Sequence, residues 1–193
     1  MKMRPMEEIK KYKFGNKLFN IEIKFARTVD DSDEKKNPSA DRRIYVNNEQ
    51  VELALAIALD AHKGQVDLDG KPAILHPLVV GMEGKNLTEM CVGFLHDVVE
   101  DSDYTFERLR EMGIARKIIR TLQVLTHDKS MPYMDYIRSI EASGNEAALK
   151  VKINDLHHNL LRGTIGGHTK QVKKHTEALD YLLRNDEYIL HVD

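Results

Sequence analysis

Two periodicities divide the chain near residue 44. Between residues 13 and 26 apolar and polar positions alternate, with Phe19, Ile21, Ile23 and Phe25 on one face and Asn20, Glu22 and Lys24 on the other. That is the period of a half-buried strand. Gly15-Asn16 supplies a turn before it, so the pattern predicts a small β-hairpin. From Thr28 to Arg43 the chain is polar and charged and has almost nothing to bury, which predicts a mobile linker. The alternating face is too small to be stable alone and is expected to pack on the rest of the chain or on another subunit.

Beyond Asn48 the spacing becomes helical. Val51, Leu55, Ala58, Leu59 and His62 fall on one stripe of a helix expected to end near Gly64, followed by a loop over residues 65–71. Pro77 suits the first turn of a short helix carrying Leu78, Val79, Val80 and Met82. Thr88 is a candidate cap for a helix running through Cys91, Phe94, Leu95 and Val98 to Glu100, and Thr105 for the next, with Glu107 in its first turn. Ala115, Ile118, Ile119, Leu122 and Leu125 form one further stripe, and Tyr133, Tyr136, Ile137 and Ile140 another. A helix over residues 145–162 should be broken by Gly163 to His168, and Leu179, Leu182 and Leu183 belong to a last helix over the core. The expected fold class is all-α, a bundle of about seven or eight helices, with the β-hairpin as an N-terminal extension.

At 193 residues the chain accommodates one domain with a full core, expected over 44–193, and a small appendage over 1–43. The 29 Lys and Arg nearly cancel the 31 Asp and Glu, which excludes the one-sided basic footprint of a binder of nucleic acid polymers but leaves room for a small anionic ligand. Cys91 has no partner for a disulfide, and residues 1–13 lack the apolar centre of a signal peptide. The longest apolar run, Ala54 to Leu59, is far too short for a bilayer. A cytoplasmic protein without membrane contact is expected.

The densest chemistry lies in Phe94-Leu95-His96-Asp97-Val98-Val99-Glu100-Asp101. On one helix His96 and Glu100 are a turn apart, as are Asp97 and Asp101, and burying such groups unpaired is very costly. A bound cation gives them a reason to be there, and imidazole with carboxylate suits manganese, iron, cobalt or zinc. His76, between Ile74-Leu75 and Pro77, and Asp155, within Val151-Lys152-Ile153-Asn154-Asp155-Leu156, are two distant groups on apolar backgrounds. Taken singly, each has a plain structural explanation: His76 as a satisfied core histidine, Asp155 as the partner of an arginine, Glu100 and Asp101 as a solvated helix end. The apolar framing of all of them favours a shared metal.

In order along the chain stand His62-Lys63-Gly64-Gln65, Ile74-Leu75-His76-Pro77-Leu78, Gly93 to Asp101, and Val151 to Leu160. This series resembles the hydrolase domain of RelA/SpoT-type proteins within the HD superfamily, most closely the small stand-alone hydrolases, over about residues 45–185. The resemblance implies an HD-type helical bundle with His76, His96, Asp97 and Asp155 as metal ligands, the metal usually being manganese. It implies that Glu100 and Asp101 activate or position the attacking water and that Asn159 contacts the nucleotide. His62 matches a position near the site, and Lys63 beside it is a candidate substrate cation. The implied reaction removes pyrophosphate from the 3′ position of guanosine tetra- or pentaphosphate.

Two departures bear on the substrate. Where the family commonly carries Arg-Lys, this chain has Asp67-Leu68, which reverses the charge of a substrate-facing loop. After Asp155 two family arginines are missing, and Arg162 stands one place out of register. Lys71, Lys152 and Arg162 are solvated surface charges by default, and His157, His158 and His168 structural or surface histidines. The competing readings are a hydrolase of another phosphorylated nucleotide such as NADPH, and a metal-bound sensor that holds a nucleotide without turning it over. The partner in every case is a small phosphorylated nucleotide, and a homo-oligomer through the strand face is an open expectation.

Overall fold

Short polar side chains mark the helix entrances. Asn47, Asn86, Thr105 and Asn145 each accept a hydrogen bond from the backbone N–H three residues on, which satisfies one of the amides that a helix start leaves without a partner. Asn86 takes the place expected for Thr88. The reason is Glu89, whose buried carboxylate reaches back to the Lys85 amide and the Asn86 side chain at 2.7 Å each and closes a reciprocal cap one turn earlier.

The computed structural model describes residues 45–184 in full and residues 8–14, 17–23 and 185 as backbone; the expected turn at Gly15-Asn16, Phe25 and the linker over 28–43 lie outside the described residues. The chain forms two compact units, Met1–Arg42 and Arg43–Asp193. In the first, β1 (Glu8–Phe14) and β2 (Lys17–Ile23) pair antiparallel, Glu8 opposite Ile23 and Phe14 opposite Lys17. In the second, the described residues form α1 (Asn48–Ala61), α2 (Leu75–Met82), α3 (Leu87–Leu95), α4 (Val98–Asp101), α5 (Phe106–Glu111), α6 (Arg116–Leu125), α7 (Tyr133–Ala142), α8 (Glu146–Ile165) and α9 (Thr169–Asn185). No helix among them is long and apolar enough to cross a membrane.

Three expectations need correction. The helix carrying His96 is not continuous to Glu100, because His96 and Asp97 form a turn between α3 and α4. The His96 ring donates through Nδ1 to the Gly93 carbonyl at 2.7 Å, so that carbonyl is occupied by a side chain at the break. The buried stripe of α1 is Ala54, Ile57 and Ala58 with Gln50 and His62, whereas Leu59 is 49% exposed. Gly163 does not end α8, which runs on to Ile165; a Cβ there would lie 3.0 Å from Val172, so the missing side chain lets α9 pack closely.

The stripes read for α6 and α7 are buried as expected, through Ile118, Ile119, Leu122, Leu125, Tyr136, Ile137 and Ile140, and α9 adds Ala178, Leu179 and Leu182. At the centre, α2 and α3 meet glycine to glycine. A Cβ on Gly93 would lie 2.6 Å from the Gly81 Cα, and one on Gly81 would lie 2.2 Å from the Phe94 ring. This close approach sets His76, near the start of α2, against His96 at the end of α3.

Candidate active site

His76, His96, Asp97 and Asp155 come from α2, the α3–α4 turn and the middle of α8, and their side chains converge. The Nε2 atoms of His76 and His96 lie 3.2 Å apart. Asp155 Oδ1 stands 3.0 Å from His76 Nε2 and 3.6 Å from His96 Nε2; Asp97 Oδ2 stands 3.6 and 3.2 Å from the same atoms. His76, His96, Asp97 together meet the spacing for a shared ion, and Asp155 closes the group from α8.

The chemistry of these donors fits a divalent cation. A carbonyl only accepts, so His96 carries its proton on Nδ1 and turns the Nε2 lone pair to the centre. His76 Nδ1 lies 2.7 Å from His158 Nδ1, with the rings stacked, and donation to His158 leaves the His76 Nε2 lone pair facing the same point. Burial, with the neighbouring His76 side chain, pushes His158 down to about 4, so at neutral pH it is an uncharged acceptor. His158 is therefore a support for His76, a role the sequence reading did not assign.

Two imidazole lone pairs and two carboxylate oxygens packed this closely need a positive charge between them. Protons otherwise supply it: burial opposes charge on His96, yet Asp97 and Asp155 outweigh it and raise its pKa well above the ordinary value. Burial likewise works against ionising Asp97, but His96 beside it holds the carboxyl down at about 2. Cation and protons thus compete for the same atoms, and cation affinity should rise with pH.

Asp155 is further fixed by Lys152 Nζ at 2.7 Å on Oδ2 and by the Asn159 amide at 2.5 Å on Oδ1. The pair lies on one face of α8 with Tyr133 and Tyr136 above Lys152 at 6.0 and 5.2 Å. Lys152 is thus brought into the centre rather than left as a solvated charge.

Two cavities flank the four groups. The smaller, about 210 Å³, takes in Glu100, Lys152, Asn159 and Lys174. The larger, about 470 Å³, takes in His62, Gln65, Asp67 and Asp101. His76, Asp97 and Arg162 line both. Glu100 and Asp101, adjacent in sequence, therefore face different cavities. Lys63 is exposed and lines neither of them. Lys174 and His175, from α9, enter the smaller cavity without a motif to announce them; their only sequence signal is a basic run on an amphipathic helix.

Burial pushes the carboxyls of Glu100 and Asp101 above their usual range, with the charge of Asp97 adding to it. Glu100 is also held by the His127 amide at 2.8 Å. His62 donates through Nδ1 to Gln65, whose amide nitrogen is committed to the Ala61 and Asp101 carbonyls, so His62 Nε2 is a buried acceptor with no partner in the larger cavity. Cys91 is fully buried and its thiol raised to about 11 by burial, which suits packing rather than nucleophilic chemistry.

No family model matches the chain. Among curated proteins, a zebrafish (Danio rerio) guanosine-3′,5′-bis(diphosphate) 3′-pyrophosphohydrolase, MESH1, is 35% identical over 115 residues, 53% of this chain and 63% of that protein. A GTP pyrophosphokinase of Streptomyces coelicolor is 30% identical over 149 residues, 68% of this chain but 17% of its own length. A guanosine-3′,5′-bis(diphosphate) 3′-pyrophosphohydrolase of Haemophilus influenzae is 42% identical over 59 residues, 28% of this chain and 9% of that protein. Among solved structures, a metazoan SpoT ortholog described as hydrolysing ppGpp superposes with a TM-score of 0.56 at 19% identity, over 75% of this chain and 99% of that one. The chain resembles the HD-type RelA/SpoT hydrolases. It spans less than two thirds of the length of these curated relatives. The structural likeness accounts for the helical bundle, while the four convergent side chains are a property of this chain's own geometry.

Replacing Glu100 by glutamine separates a base from a ligand. The substitution is expected to leave bound metal unchanged and to remove most turnover. Because burial raises the folded pKa of Glu100, its ionised form is disfavoured in the folded state. The penalty is absent below the unfolded carboxylate pKa and present once pH exceeds the folded one, so at neutral pH the variant should be no less stable than the parent. Metal analysis, rate and thermal unfolding on one preparation check this, and equal loss of metal would put Glu100 among the ligands.

Proposed function

We propose that this chain is a metal-dependent phosphohydrolase that removes the 3′-pyrophosphate of guanosine tetra- or pentaphosphate, with His76, His96, Asp97 and Asp155 holding the metal. The observation carrying this reading is the convergence of two imidazole lone pairs and two carboxylates between two cavities, with Glu100 lining the smaller and Asp67 and Asp101 the larger. The names of the zebrafish and Haemophilus relatives support the substrate.

The chemistry that a divalent ion supplies in such a centre is polarisation of a phosphoryl oxygen and a lowered pKa for water. The protein supplies the rest. Lys152, Lys174 and Arg162 offer cations to phosphate groups in the smaller cavity, and Asn159 offers an amide. Glu100, with its raised pKa, takes a proton from the attacking water, and the His127 amide orients it. Asp101 and the unpaired His62 Nε2 face the nucleoside in the larger cavity.

On this reading the ion is manganese, the compartment the cytoplasm, and residues 44–193 the hydrolase domain. Residues 1–43, which carry the β-hairpin, are then an N-terminal appendage to that domain. The test is release of pyrophosphate from ppGpp with manganese present. Activity is expected to fall by more than about a hundredfold in Asp97→Ala, as metal is lost; undiminished turnover in that variant would discard the site.

A further inference from the structure

Helix α8 ends in a corner that aims one side chain at the loop between α1 and α2. Gly167, at φ +70°, lets the amides of Gly167 and His168 turn back to the Thr164 and Gly163 carbonyls at 3.3 and 2.8 Å, a paired closure of the last turn. The His168 carbonyl in turn accepts from the Val172 amide at 3.0 Å as α9 begins. With both backbone groups committed, the His168 ring starts from a fixed position, and its Nε2 donates to Asp69 Oδ1 at 2.9 Å. Gly166 lies beside this contact, where a Cβ would stand 2.6 Å from both atoms.

The loop that receives His168 is tied separately at its base. The Ala73 amide donates to the Gln65 carbonyl at 3.0 Å, Val66 bridges Pro72, and the Gln65 side chain donates to the Asp101 carbonyl at 2.7 Å. Toward the tip, Asp67 Oδ1 accepts from the amides of Asp69 and Lys71 at 3.0 and 2.8 Å, so the turn holds its own shape. A loop that is braced internally and tied at its base keeps one freedom, a swing of its tip. The Asp69–His168 contact removes it. Gln65, Val66 and Asp67 are the loop's share of the wall of the larger cavity, and Arg162 is a share that α8 supplies. Asp69 and His168 join the same two elements from outside, since neither lines that cavity.

We infer that Asp69 and His168 are positioning residues, a clasp that holds the loop wall against α8 and so sets the affinity of the larger cavity for a nucleotide. They act through Val66 and Asp67 and do not touch the ligand. The kind of ligand rests on the nucleotide-hydrolase reading, whereas the clasp itself is read by binding and by hydrogen exchange. The His168 and Asp69 side chains are 28% and 25% exposed, so their contact weighs little in global stability. What it contributes is order, because a loop already held still has less motion to lose when a ligand arrives. The four metal-holding groups come from α2, the α3–α4 turn and the middle of α8, so opening the clasp leaves them in place.

Gly166→Ala is the most direct probe. The backbone there, at φ −81° and ψ −3°, accepts any residue, and the added methyl meets only side-chain atoms of the clasp. Calorimetric titration of the manganese-supplemented full chain with GDP should show affinity lowered about fivefold to tenfold in Gly166→Ala and in His168→Ala. His168→Gln keeps a donor for Asp69 and should stay within about twofold of the parent. In ppGpp hydrolysis Gly166→Ala should raise KM by a similar factor, with kcat and bound metal within about twofold of the parent. Exchange of the Asp69 and Lys71 amides in the ligand-free protein should be faster in Gly166→Ala and His168→Ala. Unchanged GDP affinity in those two variants, no GDP binding by the parent, no rescue by His168→Gln, or a fall in kcat at constant KM overturns the clasp. Hydrolysis of ppGpp with affinity and exchange alike in all variants would discard the clasp and leave the hydrolase, whereas clasp-dependent GDP binding without hydrolysis would do the reverse.

Discussion

Asp155→Ala is expected to lose the bound metal, abolish turnover and destabilise the metal-free protein by about 3–5 kcal/mol. The three effects have one origin. Asp155 Oδ1 faces both histidine Nε2 atoms, while Oδ2 takes the Lys152 ammonium at 2.7 Å. The Asp155 and Lys152 side chains are 5% and 12% exposed, so removing the carboxylate leaves a buried cation without its ion-pair partner at 2.7 Å. Burial opposes both charges, but the pair outweighs it, holding Asp155 well below and Lys152 well above their ordinary ranges.

The sign of the pH dependence follows. A depressed carboxylate pKa contributes stability above its unfolded value, and that contribution fades as pH falls through the folded value. The gap between parent and Asp155→Ala should therefore be full at neutral pH and shrink in acid. Denaturant unfolding of chelator-treated protein checks the magnitude. Combining Asp155→Ala with Lys152→Met should restore much of the stability and none of the metal. A single variant that unfolds within about 1 kcal/mol of the parent would refute the buried-pair account.

Gly93→Ala is expected to destabilise the fold by about 2–3 kcal/mol and to weaken metal binding, although residue 93 is no ligand. The added methyl would meet the Gly81 Cα at 2.6 Å and the Val80 carbonyl oxygen at 2.8 Å, so α2 itself must move away from α3. His76 rides on α2 and His96 ends α3, and the 3.2 Å between their Nε2 atoms depends on the distance that would change. Gly81→Ala should be comparably costly, because the methyl would lie 2.2 Å from the ring of Phe94, which is itself buried. Metal titration with thermal unfolding tests both. An unchanged metal affinity in Gly93→Ala would mean that the histidines are positioned by something other than this crossing.

Much of this was legible in the chain itself. Helical period and polar caps are local properties, so the stripes of α6 and α7 and the cap at Thr105 could be read directly. His76, His96, Asp97 and Asp155 stood out because charged groups framed by apolar neighbours carry a desolvation cost that only a shared partner offsets. The cap at Asn86 was missed because two polar residues compete there, and the deciding contact is the return of the buried Glu89 side chain. The break at His96–Asp97 was missed because periodicity does not register a ring that bonds the carbonyl three residues back.

The sequence by itself determined the helical body, the four convergent residues and the acidic pair beside them, since residue type, spacing and hydrophobic framing carry that information locally. Only the tertiary structure decided that Glu100 and Asp101 face different cavities, that His158 and Lys152 support the centre, and that Asp67 meets Arg162. Each of those last relations depends on the angle of a break, the closeness of a helix crossing or the path of a loop. Such quantities are fixed by packing among elements distant in sequence, and no local pattern of residue types encodes them.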